Sequence, residues 1–406
     1  MLSIKVLNIK YLILFILYIF VYLITISTTY ANKIKISAQY NYDSKKSLIK
    51  LKDVTSSNMN TVSINAEYNQ KYIKSELNLS YANDNKTNLD NSFINYNLQH
   101  LTFGIGKPKR HWSFSPRTSL ILSDNAAPSQ SIYMKLSYKQ NRIPWDLSIF
   151  NGLTSDEKNI QDPMLLGVRG TISVSKNLKF EIVNVSQWKK NESSLLKELI
   201  NNIIGNTNEG EFSNTNRIAG FGFSYKNNNN LIPMRFYGQI IGEDEVNFLP
   251  NCLIYLTGFE IPNFDFKFPT SIGLEFSDTR VNHTTNNNCG PNTAYNNNVY
   301  KYRNEGIVMG APIDTEGKSI ELYGSTKISK DLYVEYSIAN VLINDMGWTG
   351  HNVSSKRQNG IISSINLSKD LNNINLNFGI YNQNFSLDNS KIKEGTGFNL
   401  SYKINF

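Results

Sequence analysis

Phe398-Asn399-Leu400-Ser401-Tyr402-Lys403-Ile404-Asn405-Phe406 ends the chain on a strict alternation. Strand side chains repeat every two residues, so Phe398, Leu400, Tyr402, Ile404 and Phe406 share one face and Asn399, Ser401, Lys403 and Asn405 the other. An oily face backed by a polar one suits a β-strand with lipid on one side and a hydrated or polar lumen on the other. The terminal Phe resembles the C-terminal signal of bacterial outer-membrane barrels. The stretch therefore predicts a strand of a transmembrane barrel.

The same period recurs in Ile34/Ile36/Ala38/Tyr40/Tyr42, Val62/Ile64/Ala66/Tyr68, Ile73/Ser75/Leu77/Leu79/Tyr81 and Ile132/Met134/Leu136/Tyr138. Further runs fall near 92–107, 145–151, 165–187, 218–241, 253–277, 319–339 and 359–383. Counting hairpins predicts an all-β, antiparallel transmembrane barrel of about 18 strands, an even number as single-chain bacterial barrels have. The mean hydropathy of −0.35 excludes a helical bundle in the membrane but not a barrel, in which only alternate residues meet lipid. The 23 Tyr and 21 Phe are enough for aromatic girdles at both interfaces. Asn runs such as Asn227–Asn230 and Asn286–Asn288 favour turns and polar loops.

At the other end, Lys5 and Lys10 precede an apolar run from Tyr11 to Ile26 and then Ser27-Thr28-Thr29-Tyr30-Ala31. This pattern predicts a cleavable signal peptide over 1–31 and a single barrel domain over 32–406, with an uncleaved anchor as the alternative. One segment departs from the β texture: Ser193 to Ile204 carries Leu195, Leu196, Leu199, Ile200, Ile203 and Ile204 at helical spacing. Its apolar stripe has to be covered, and the lumen or a mouth of the barrel is available, so a short helical plug is expected near 193–204. The competing place is the surface of a leaflet.

Two clusters carry chemistry. Lys107, Lys109, Arg110, His111, Trp112 and Arg117 crowd a stretch with Pro108 and Pro116, which cannot be a lipid-facing strand. Guanidinium forks bind anionic groups and aromatic faces stack on sugars, so an acidic glycan fits; an internal loop pairing with wall acids fits equally. Glu243, Asp244 and Glu245 are adjacent acids after a strand from Met234 to Ile240, and their repulsion calls for compensation. Arg110, Arg117, Arg169 and Arg303 are the candidates. An ion-pair network is favoured over calcium because no regular calcium-loop spacing accompanies the acids, and no metal or cofactor is expected.

Taken together, Ser119-Leu120-Ile121-Leu122-Ser123-Asp124-Asn125-Ala126, Leu166-Gly167-Val168-Arg169, Ser186-Gln187-Trp188, Arg217-Ile218-Ala219-Gly220-Phe221, Tyr237 to Glu245, Tyr255 to Glu260 and Tyr300-Lys301-Tyr302-Arg303 resemble the Wzi family of capsule-assembly proteins. The resemblance spans roughly residues 100 to 325. It implies an eighteen-stranded outer-membrane barrel, closed by helical material, that acts as a surface lectin holding capsular polysaccharide. Two stretches depart from the family pattern. Ser113-Phe114-Ser115-Pro116-Arg117 stands in place of a Gly-Pro-Gly-like turn, and Gly306-Ile307-Val308-Met309-Gly310 in place of a His-containing stretch.

The candidate glycan-binding or lumen residues are thus Arg110, His111, Trp112, Arg117, Glu243, Asp244, Glu245, Tyr302 and Arg303. An enzyme is not expected: the four His (His100, His111, His283 and His351) sit in unrelated contexts, outside any nucleophile motif. Glu243 and Glu245 share one strand face but do not make a cleft by themselves. A diffusion porin is the alternative, since the same charges would tune a pore. The net charge of +8 suits lipopolysaccharide phosphates or an acidic capsule, and export from the cytoplasm argues against nucleic acid. Docking by other capsule-export proteins stays open, as does a bond between Cys252 and Cys289.

Overall fold

The computed structural model describes residues 34–46, 60–82, 87–139, 143–155, 163–189, 194–204, 215–227, 233–246, 249–265, 267–281, 289–298 and 300–406. The expected signal peptide and the start of the mature chain lie outside these residues. The first strands are β1 (Ile34–Asp43), β2 (Asn60–Asn69), β3 (Ile73–Ala82), β4 (Thr87–Asn88), β5 (Phe93–Asn97), β6 (Leu101–Gly106), β7 (Gln130–Tyr138) and β8 (Trp145–Leu153). Next come β9 (Met164–Ser173), β10 (Leu178–Trp188), helix α1 (Leu195–Ile204), β11 (Asn216–Asn227), β12 (Met234–Val246), β13 (Leu249–Asp265) and β14 (Pro269–Asp278). The small strands β15 (Arg303–Asn304) and β16 (Ile307–Val308) precede β17 (Lys318–Ser329), β18 (Leu332–Ile343), β19 (Gln358–Leu371), β20 (Ile374–Gln383) and β21 (Gly395–Asn405).

Each wall strand pairs antiparallel with its chain neighbours, and β1 pairs with both β2 and β21, with Tyr40 opposite Val62 on one side and Tyr402 on the other. The sheet is thereby closed. β4 and β5 are two pieces of one stave and β15–β16 stand apart, which makes the wall eighteen-stranded, as the alternation predicts. Outward faces carry the exposed apolar residues: Phe398, Leu400, Phe378 and Ile380 all stand clear on β20 and β21. Inward faces are hydrogen-bonded polar surface, as where Gln39 Nε2 donates to Ser401 Oγ at 3.0 Å.

Short turns collect at the end where β1 starts and β21 finishes. One of them passes through Asn372, whose φ of 50° is left-handed, a conformation Asn tolerates better than most residues. Long connections collect at the opposite end, the arrangement of outer-membrane barrels with long loops on the cell surface. Two of these connections, 107–129 and the described residues of 279–317, fold inward. Leu120, Ile121, Tyr295, Tyr302 and Ala311 are fully buried in one core with the inward wall residues Val183, Val185, Ile218 and Ile241.

The helix forms where periodicity places it, capped by Ser194, whose Oγ accepts from Lys197 N at 3.3 Å and whose carbonyl accepts from Glu198 N at 3.0 Å. Its position corrects the expected plug. Along β10 and β11 the exposed Phe180, Ile182, Phe221, Phe223 and Tyr225 mark the lipid-facing parity. Ser186, Trp188 and Arg217 share that parity yet are buried, and α1 packs on this patch against β9 and β10. The helix therefore lies outside the wall near the surface rim, and the lumen is filled by irregular loops. An Arg facing lipid costs about 2–4 kcal/mol at the bilayer midplane. Here Glu198 meets Arg217 at 2.7 Å with both side chains fully buried.

Cys252 near the start of β13 and Cys289 after β14 form a disulfide with a Cα–Cα distance of 5.3 Å, resolving the question the sequence left open. On non-reducing gels the wild-type band should shift on reduction and that of Cys289→Ser should not. Chain-entropy arithmetic for a loop of this length assigns the bond about 3–4 kcal/mol, so the variant should also unfold at lower urea. An unchanged urea midpoint would show the bond to be dispensable for stability.

Candidate functional site

Gly106 ends β6, and the chain then enters the lumen rather than turning back along the wall. Trp112 N donates to Leu122 O at 2.8 Å, which pinches residues 112–122 into a closed loop. Gln239, inward on β12 and buried, clamps that loop to the wall. Its Nε2 donates to Trp112 O at 2.7 Å and its Oε1 accepts from Leu120 N at 2.8 Å. A backbone turned away from water has to satisfy every polar group locally, and one carboxamide here satisfies two.

The second inward connection supplies the remaining partners. Tyr295 Oη donates to Leu120 O at 2.6 Å and Tyr302 Oη to Ile121 O at 2.8 Å, with the two rings stacked 5.9 Å apart. Asn125 Nδ2 donates to Val308 O at 2.9 Å, Ser123 Oγ to Gly310 O at 2.6 Å, and Asn304 Nδ2 to Ala127 O at 2.8 Å. Burial raises both Tyr hydroxyls well above the ordinary phenol range, so they remain donors. Arg303 Nη2 reaches both carboxylate oxygens of Asp314, at 2.9 and 3.1 Å. Burial pushes Asp314 upward, but the Arg303 guanidinium outweighs it, assisted by His351, and holds the carboxyl below its usual range.

At the tip, Arg117 grips Glu321 of β17 through Nε at 3.1 Å and Nη2 at 2.5 Å. Arg235 Nη1 donates to Phe114 O at 2.9 Å, and Ser115 Oγ donates to Glu275 of β14. Tyr237 Oη also donates to Glu275, at 2.8 Å, and lies 3.1 Å from Tyr323 Oη. Its ring lies flat across the next strand because Gly258 has no side chain; a Cβ there would sit 2.4 Å from Tyr237 Oη. His111 Nε2 donates to Ser115 O at 2.8 Å, and burial lowers the imidazole from its ordinary value.

Arg110 occupies the surface-side entrance of the loop. Its Nη2 donates to Ser131 Oγ at 2.6 Å, and the guanidinium lies 4.0 Å from the Phe150 ring centroid. Burial brings it down to about 10, so it stays cationic at neutral pH. Pro108, Lys109, Arg110, Asp124 and Ser129 line a small recess together with Phe150 and Leu165. Trp112 is 6% exposed and packs edge-on against Phe150 at 5.3 Å, so it is a core residue and offers no face for a sugar.

The structure brings Arg110, His111, Trp112, Arg117, Glu243, Tyr302 and Arg303 onto one lumen-filling assembly, and Arg117, Arg169 and Arg303 each meet an acid other than the expected Glu243 to Glu245. Arg117 takes Glu321, Arg169 takes Glu181 at 2.6 Å, and Arg303 takes Asp314. Glu243 Oε2 instead accepts Tyr295 N at 2.9 Å. β12 continues through these acids to Val246, toward the surface end of the wall. The side chains of Asp244 and Glu245 lie outside the described residues. The sequence reading missed Glu275, Glu321 and Gln239. A polar parity of Gly273, Glu275 and Ser277 within an apolar run was the available signal.

A closed antiparallel barrel with a lipid-facing apolar belt and its own loops packed in the lumen is an outer-membrane protein, and its surface end is a stoppered mouth. The chain belongs to the Wzi family of capsule assembly proteins, which matches residues 25–397. It is 23% identical over 212 residues to a Klebsiella pneumoniae protein described as an uncharacterized 55.8 kDa protein in the cps region; the match covers 50% of this chain and 42% of that one. Among solved structures it resembles Wzi of Escherichia coli, described as a carbohydrate-binding β-barrel involved in group 1 capsule assembly. The TM-score is 0.76 at 19% identity, over 92% of this chain and 85% of the other. The Pseudomonas aeruginosa outer-membrane protein OprD is similar at a TM-score of 0.52 and 8% identity, over 92% and 94% of the two chains. At these identities the structural likenesses speak to the fold alone.

Losing one partner of a buried ion pair typically costs about 3–5 kcal/mol, so Asp314→Asn should loosen the 279–317 connection and speed its proteolysis at neutral pH. Because the folded carboxyl titrates below 3.8, its unperturbed value, the pair contributes fully above that pH. The contribution is lost as pH falls through the lower folded value. Protease resistance unchanged in Asp314→Asn would show that the pair does not secure the loop.

Proposed function

We propose that the protein is a surface lectin that holds capsular or other extracellular polysaccharide at the outer membrane. The observation that carries this reading is the filled lumen. Leu120, Ile121, Tyr295 and Tyr302 are completely buried between two loops that bond each other and the wall, which suits a rigid platform better than a conduit. The family to which the chain belongs, named for capsule assembly, supports the same conclusion.

The recess at the surface end is the proposed glycan contact. Lys109 is exposed beside it and Arg110 is held in it by Ser131 and Phe150, so an acidic sugar would meet an oriented guanidinium whose immobilisation is already complete. His111, Trp112, Arg117, Tyr302 and Arg303 act by holding the loops. Lipopolysaccharide phosphates are a second anionic partner of the same basic rim, and neighbouring capsule-export proteins would dock at the short-turn end. The barrel binds without transforming what it binds. The competing porin reading draws on the polar inner face of β1, β20 and β21, where Gln39, Asn41, Asn377 and Ser401 line the wall away from the loops.

Purified, folded barrel should bind polysaccharide from its own host saturably while conducting little across a planar bilayer. Arg110→Ala should weaken binding about tenfold or more, as loss of a charge-assisted hydrogen bond does, with Glu321→Gln as a control for lumen packing. Steady ohmic conductance with no saturable binding would replace this reading with the porin.

A further inference from the structure

We propose that α1 is an interfacial membrane helix, seated with its apolar side among the acyl chains of the outer leaflet and its polar side against the barrel wall. This does not depend on what the recess binds.

The helix is built inside out for a soluble rim. Among its described side chains the buried ones are Glu198 and Asn201, one turn apart, at 0% and 7% exposure. Leu196 is 68% exposed, Ile200 46% and Leu195 41%. At 100° per residue, Leu196 and Ile200 point roughly opposite to Glu198 and Asn201. In water such a helix would turn over, burying its leucines on the wall. Leu195 and Leu196 stay outward here, and Glu198 is held by Arg217 at 2.7 Å on the lipid-facing parity of β11.

What lies around it identifies the occupant. Directly along the same strands toward the short-turn end are Ile182 (62% exposed), Phe180 and Phe221, which belong to the barrel's lipid-facing belt. Above them that face carries the polar Asn184, Ser186 and Arg217 beside the buried Leu166 and Trp188. The helix covers this patch, with its charged Arg217, and presents Leu195, Leu196 and Ile200 in its place, so the exposed apolar surface of the belt continues across it. Lys197 is exposed on the same helix, and a lysine stem can run along lipid while its ammonium reaches the headgroup phosphates. No helix among the described residues is long and apolar enough to cross a membrane, so α1 lies on the bilayer rather than through it.

Cys252 and Cys289 are bonded, so a single introduced cysteine is the only free thiol in the chain. Leu196→Cys and Ile200→Cys would each be given a nitroxide label and the protein inserted in phosphatidylcholine nanodiscs. Collision with dissolved oxygen would be compared with collision with a water-soluble nickel chelate. Ile182→Cys serves as the lipid reference, Lys109→Cys as the aqueous one. The expected result is an oxygen-to-nickel ratio at both helix positions matching that of Ile182→Cys. A ratio matching Lys109→Cys would place the helix in water and overturn the proposal. Shielding from both probes would overturn it too, by assigning the face to a second copy of the chain.

Discussion

Inside a bilayer no water is available to satisfy a backbone N–H or C=O, and each one left unpaired costs several kcal/mol. That constraint forces the pairing of β1 with β21, which leaves the sheet without a free edge. Once the wall is closed, every residue acquires a side. Odd and even positions of each strand are committed to lipid or lumen, and a shift of one residue would exchange the whole set. The rest of the molecule is a response to that commitment: exposed Phe and Ile outside, hydrogen-bonded Gln, Asn and Ser inside, and loops added at the surface end.

The loops inherit the same backbone constraint in another form. Segment 107–129 enters the lumen without regular secondary structure, so its carbonyls and amides need side-chain partners. Gln239 from the wall and Tyr295, Tyr302 and Asn304 from the second connection provide them, and Ser123 and Asn125 in turn donate to carbonyls of that connection. At the tip of 107–129, Arg117 is matched to Glu321 of β17, while the wall's Arg235, which donates to Phe114 O, is matched to Glu260 on the next stave. Such half-buried pairs do little for stability when desolvation is counted, but they fix where a loop sits, because a mismatched register would leave a partly desolvated charge alone.

Helix α1 is the place where the wall departs from its own alternation. Arg217 and Ser186 occupy lipid-facing parity, which the strand period forbids unless something covers them. Glu198 neutralises the arginine from outside, and the helix turns its apolar side outward. Wall and helix exchange roles over one patch, so the exposed surface stays apolar while the contact beneath it contains a buried ion pair.

Period-two alternation from Ile34 to Phe406 determined the barrel, its approximate strand number, its two faces and its compartment, because strand geometry assigns sides from local sequence alone. The helix was equally legible as a helix, and Arg110, Trp112, Arg117, Tyr302 and Arg303 as residues that belong in a lumen assembly. Which acid each arginine meets, that Trp112 is core rather than a sugar platform, that Cys252 bonds Cys289, and on which side of the wall α1 lies were decided only by tertiary structure. The physical reason is that these depend on contacts between residues far apart in the chain, such as Arg117 with Glu321 and Glu198 with Arg217. An amphipathic stripe records only that one side of a helix is apolar. Whether that side meets protein or lipid depends on what surrounds it.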